Sequence, residues 1–95
     1  MAQKIKKGAL KAPVEELVIK LCRGQVSDDE FKEGIKRLAA SFFYLNNRYQ
    51  SIGTILGHCV IKYGADEQRL SHLVIEVDTR IRRGWLDYKK RYPPG

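Results

Sequence analysis

The chain has no apolar run long enough to span a bilayer, and its 95 residues include only two cysteines, two histidines, three prolines and one tryptophan. Each scarcity excludes something. Without about 20 successive apolar residues, no transmembrane helix is written into the sequence. Cys22 and Cys59 are too few and too far apart for a disulfide framework or a zinc module. Each falls on an apolar helical face, where a free thiol behaves as a small hydrophobe, so two buried, reduced thiols are expected. A Cys22 to Cys59 bridge is the alternative, since both faces meet in the core. His58 and His72 have neither an i, i+4 histidine partner nor a nearby cysteine pair, and both read as surface residues without a metal. There is no Gly-rich phosphate loop, and no Ser, Cys or Thr is grouped with a base and an oxyanion site. The acids Asp28, Asp29, Glu30 and Glu33 are explained as charge at a helix start. The sequence therefore points away from an enzyme and calls for no cofactor.

The first dozen residues also lack something, the uninterrupted apolar core of a secretory signal, because Lys4, Lys6, Lys7 and Lys11 break them up. They are basic and free of acids, as transit peptides are, but poor in Ser and Arg. A cytoplasmic protein is expected. The balance of 43% hydrophobic and 31% charged residues suits a folded helical chain better than a disordered one. At this length a single core is barely self-sufficient, which makes a homo-oligomer an expectation from the start.

What is present is a cadence. Phe31, Ile35, Leu38, Phe42, Leu45, Tyr49, Ile52, Leu56, Cys59 and Tyr63 are separated by alternating steps of four and three. That is the seam of a packed helix. Read as one rod from Asp28, it would be about 50 Å long. Ser27, followed by Asp28, Asp29 and Glu30, predicts a capping box at its start. Asn46 and Asn47 are where it could split, because Asn competes for backbone hydrogen bonds. The unbroken register favours continuity. Gly53 and Gly57 form a small-xxx-small pair that would admit another helix closely, or are two tolerated helix glycines.

The flanking segments read as helices packed on this rod. Pro13, Glu15 and Glu16 predict a helix start; Val14, Leu17, Val18 and Leu21 share a face, and Gly24 stops it. Gly64 and Asp66 predict a tight reversal. Leu70, Leu73, Val74, Val77, Ile81, Trp85, Tyr88 and Tyr92 then line one side of a last helix, ended by Pro93 and Pro94. A strand through Leu73, Ile75, Val77, Thr79 and Ile81 is rejected, because its alternation stops at Gly84 while the helical stripe continues. The expected fold is all-α, an antiparallel helical bundle of three helices, or four if the central one breaks at Asn46 and Asn47. Its parts are a basic, flexible arm over residues 1–12, a single helical domain over 13–92 and a tail over 93–95.

The formal charge of +7 is concentrated at the ends. Residues 1–23 carry +4 and residues 80–95 carry +5, whereas residues 64–79 carry −3. An anionic partner is expected from that concentration. Lys4, Lys6, Lys7, Lys11, Arg48, Arg80, Arg82, Arg83, Lys89, Lys90 and Arg91 are the candidate phosphate contacts. If the last helix runs back along the rod, Arg80 to Arg83 lie near Arg48 and the two basic ends merge. Trp85, Tyr88 and Tyr92 extend the core stripe, so they are assigned to packing, and the face is expected to grip phosphates and not read bases. Phe43, Ile75 and Leu86 lie off their stripes and would form a second contact surface for a protein partner. The leading expectation is a non-enzymatic binder of nucleic acid, RNA or DNA. The competing one is an adaptor or inhibitor that docks on an acidic protein surface. A helix-turn-helix over residues 38–56 lacks its turn glycine and spacing.

Overall fold

The structure, a computed structural model, describes residues 10–91. Within them the chain is all-helical and forms a compact globule of five helices: α1 (Lys11–Cys22), α2 (Asp28–Ser41), α3 (Arg48–Tyr63), α4 (Glu67–Val77) and α5 (Thr79–Arg91). Two continuities expected from the cadence are absent. The central rod is broken over residues 42–47, and the last helix is broken at Asp78. A straight rod of about 50 Å would exceed the longest dimension of the globule, 42 Å. Bending it lets both halves of the seam face one core. Phe31, Ile35, Ile52, Leu56 and Cys59 are fully buried, and Leu38, Phe42 and Tyr49 pack against them from partly buried positions.

The local signals at the other boundaries hold. The Ser27 hydroxyl accepts from the Glu30 amide at 3.1 Å, and the Ser27 amide donates to the Glu30 carboxylate at 2.9 Å. These bonds satisfy donors that a helix start leaves orphaned. Asp66 caps α4 by accepting from the Arg69 amide. Gly24 (φ 70°) closes α1: its amide donates to the Leu21 carbonyl, and that of Gln25 donates to the Lys20 carbonyl. Gly64 (φ 66°) closes α3, and both sit where only glycine adopts the left-handed turn without strain. Helix α1 begins at Lys11, two residues inside the segment read as an arm, which moves Glu15 and Glu16 out of its first turn. Glu16 pairs with Lys20 at 3.1 Å instead. Lys4, Lys6 and Lys7, with Tyr92, Pro93 and Pro94, lie outside the described residues.

Asp78 is what redirects the chain. It is a single extended residue (φ −167°, ψ 130°), and its carboxylate accepts from the Arg80 amide at 2.9 Å, as a helix N-cap does. Helix α5 therefore folds back on α4, with Lys89 near its end paired to Glu67 near the start of α4 at 2.7 Å. As a result α5 runs parallel to α3 and not antiparallel to it: Tyr49 meets Arg80, Thr54 meets Gly84 and Gly57 meets Tyr88. These two helices share the most extensive contact in the chain. A Cβ on Gly53 would lie 2.7 Å from the Trp85 amide nitrogen, and one on Gly84 would lie 2.7 Å from the Gln50 Cα. Each glycine thus lets the other helix's backbone reach its own. Of the two sequence readings of Gly53, close helix approach is the one realised.

Cysteine placement is half as expected. Cys59 is buried, Cys22 is exposed, and both are free. Cys22 is the last residue of α1, where the stripe Val14, Val18 and Leu21 has already turned away. Burial pushes the Cys59 thiol up to about 12, which leaves it inert.

Candidate functional site

The two breaks in the helices come together, and the basic residues at that junction are used internally. Arg48, the first residue of α3, donates from its guanidinium to the carbonyls of Phe43 and Leu45 at 3.3 and 3.2 Å. These carbonyls belong to the α2–α3 connection, which Arg48 thereby ties to the start of α3. Its planar head also lies 4.7 Å from the Tyr49 ring centre, and Arg80 lies 4.1 Å from the same ring. Arg80 forks onto Asp78, with Nε to Oδ1 at 3.0 Å and Nη2 to Oδ2 at 2.8 Å. The proximity of Arg80 to Arg48 is therefore as expected, although α5 runs the other way. Both are engaged within the chain, Arg80 while keeping 54% of its side chain exposed.

Those hydrogen bonds from Arg80 hold the Asp78 carboxyl below the usual carboxylate range, against a weaker upward push from burial. A carboxyl depressed by folding stabilises the fold above its unfolded value of about 3.9 and loses that contribution as pH falls through the lowered value. Asp78→Asn keeps the capping oxygen and removes the charge. It is expected to lower Tm by a few degrees at neutral pH, with the difference closing in strong acid. A Tm gap that is constant from neutral pH down to about pH 2 would show that the pair contributes nothing through its charge.

The remaining candidates sort by position on α5. Buried Ile81, Gly84 and Trp85 define its inner side. On the opposite side Arg83 and Lys90 are exposed, with Arg82 on one flank and Arg91, beside Gly84 and toward α3, on the other; none has an ion-pair partner among the described residues. Lys89 is matched by Glu67, and Lys11 stands exposed at the start of α1. A shallow groove of about 370 Å³ runs along this face, lined by Thr79, Arg82, Arg83, Leu86, Asp87 and Lys90. Arg83 and Lys90 are two turns apart, about 10 Å along the helix axis. The rings of α5 are elsewhere: Trp85 is 3% exposed, and Tyr88 is half-buried, with its hydroxyl 3.3 Å from His58 Nδ1. Of the two histidines read as surface residues, His72 is exposed as expected, whereas His58 is half-buried against that ring.

Leu86 is 48% exposed at the middle of the cationic face, and Ile75 is 37% exposed on α4. Phe43, at 72%, belongs to the connection between α2 and α3, where its ring meets Tyr44 edge-on at 5.7 Å. The off-stripe residues are thus exposed, as read, but they sit on three different elements. A second groove of about 620 Å³ runs beside the α3–α5 contact and is lined mainly by polar residues, among them Asn47, Gln50, Ser51, Asp87 and Arg91. Among the described residues no three His, Cys, Asp or Glu side chains group as a metal site, and no helix is long and apolar enough to cross a membrane. No known family model, curated protein or solved structure matches this chain.

Proposed function

We propose that the chain is a non-enzymatic binder of nucleic-acid backbone, contacting phosphates with little sequence preference through the outer face of α5. One observation carries this reading. Arg82, Arg83 and Lys90, with Arg91 on the flank, are gathered on α5, exposed and without an ion pair among the described residues, whereas the other exposed cations without one, Lys11, Arg23, Arg37 and Lys62, are scattered over α1, α2 and α3 and their ends. Guanidinium and ammonium groups on one helical face neutralise phosphates and release the counterions condensed on them. With Trp85 buried and Tyr88 engaged, the face offers charge without stacking rings, which suits backbone contact and not base recognition.

Fluorescence anisotropy with labelled RNA and DNA oligonucleotides tests it. If four phosphates are neutralised, affinity is expected to fall on the order of 100-fold between about 50 and about 200 mM salt, and to change little with sequence. Converting the four residues together to glutamine should remove most of that salt dependence. Absence of binding to either nucleic acid at low salt would end the proposal.

Leu86, exposed among those cations, supports a second reading, in which the same face docks on an acidic protein surface. The two readings differ in what Leu86→Ala does. A buried anchor in a protein interface loses tenfold or more on truncation, about 1.4 kcal/mol or above, whereas a phosphate-gripping face would lose little.

A further inference from the structure

We propose that residues 42–47 are a hinge through which two copies of this chain exchange their α1–α2 hairpins, so that residues 28–63 become one continuous helix in each copy. This proposal stands apart from the nucleic-acid reading and does not depend on it.

The first ground is the register. The four-three spacing of the seam runs through the break without a slip, from Leu38 and Phe42 to Leu45, Tyr49 and Ile52. The same phase would keep the whole seam on one face of a continuous helix. The second ground is the chemistry of the connection. The α1–α2 and α3–α4 reversals are committed by glycines at positive φ, and the α4–α5 reversal by the capping carboxylate of Asp78. The α2–α3 connection contains only Phe42, Phe43, Tyr44, Leu45, Asn46 and Asn47. It has no glycine, no proline and no positive φ, and Asn47 makes no side-chain cap. Phe42 (φ −104°, ψ 31°) and Asn47 (φ −105°, ψ 24°) already have negative φ and would reach helical values by turning about 40° in φ and about 70° in ψ.

The third ground is what an exchange would break. Helices α2 and α3 barely touch each other; α2 packs on α1 and α4, whereas α3 packs on α1 and α5. The hairpin can therefore leave as a unit, with Leu17 still against Gly34. Its contacts to the rest, including the ion pairs Asp28 to Arg69 and Lys32 to Glu76, are re-formed with the body of the second copy. Arg48 releases the carbonyls of Phe43 and Leu45, which then accept from the amides of Asn47 and Tyr49 as in any helix. A two-fold axis through the hinge would bring the exposed rings of Phe43 and Tyr44 of both copies together.

The test uses two charge variants of the full chain. The first, Asp28→Arg with Glu76→Lys, makes both hairpin-to-body pairs positive; the second, Arg69→Asp with Lys32→Glu, makes both negative. Within one copy each pairing is repulsive, but hairpin and body match when the two variants exchange. After refolding the variants together at high concentration, native mass spectrometry is expected to find a mixed dimer in at least tenfold excess over either homodimer. In the parent sequence, Asn46→Ala with Asn47→Ala should raise the dimer association constant roughly tenfold, and Gly at both positions should lower it by a similar factor. Mass remaining that of one chain at every refolding concentration, or a dimer indifferent to both the charge pairing and the hinge substitutions, would overturn the proposal.

Discussion

Gly84→Ala is expected to destabilise the chain by about 3 kcal/mol or more, close to the upper end of overpacking costs. In an exposed helix the same change would stabilise by about 1 kcal/mol, because alanine restricts the unfolded chain. Packing wins here because of what the new methyl group meets. At Gly84 it runs into the carbonyl group and Cα of Gln50, and at Gly53 into the Ile81 carbonyl and the Trp85 amide, all of them backbone atoms of a rigid helix. Gly34 is the internal control: its added Cβ would lie 2.8 Å from Leu17 Cδ2, the far end of a flexible side chain. Gly34→Ala should therefore change stability by no more than about 1 kcal/mol. Urea unfolding followed by Trp85 fluorescence separates the cases. A Gly84→Ala protein as stable as the parent would mean that α3 and α5 are not in backbone contact.

Trp85→Ala is expected to cost about 3 to 5 kcal/mol, the range for truncating a large buried ring. Trp85 is 3% exposed, one turn beyond Ile81, and packs where Gly53 brings the two helices together. In a domain whose total stability is of the order of 5 to 15 kcal/mol, that is a large share. Circular dichroism under urea measures the loss. The same variant discriminates the role of the ring. At a temperature where it remains folded, its affinity for an oligonucleotide should stay within about threefold of the parent's, because a ring removed from the surface has no base to stack on. A stacking residue would lose about 1 to 3 kcal/mol per base.

The helices and their cores were legible because each carries a complete local signal. Ser27 with Glu30, Gly24, Gly64 and Asp66 fix boundaries through bonds made within a few residues. The break at residues 42–47, signalled only by Asn46 and Asn47, and the unexpected one at Asp78 are masked for a common reason. Apolar periodicity reports which side of the chain faces the core, and that phase is retained on both sides of each break. Asp78 was the missed cue: an Asp within an apolar stripe, followed by Thr79, is a cap signal that the continuing stripe outvoted. Once that turn was missed, the direction of α5 and the partner of Gly84 could not follow. The pairing of cations is less legible still, because Glu67 and Lys89 lie 22 positions apart and meet only through the α4–α5 reversal.

The common direction of α3 and α5 gives the proposed binding face a polarity. Side-by-side helices running the same way place both of their amide-rich, positive ends together, beside Arg48 and Arg80, and both of their carbonyl-rich, negative ends together, beside Lys62 and Arg91. Near Arg82 and Arg83 the amide end of α5 is already answered by the Asp78 carboxylate, so a phosphate there would meet the side-chain charge alone. One approaching Lys90 and Arg91 would find part of their charge already answered by backbone carbonyls. Contacts of equal formal charge along the proposed face would thus be unequal in strength, those of Lys90 and Arg91 being weakened by the carbonyl ends beside them.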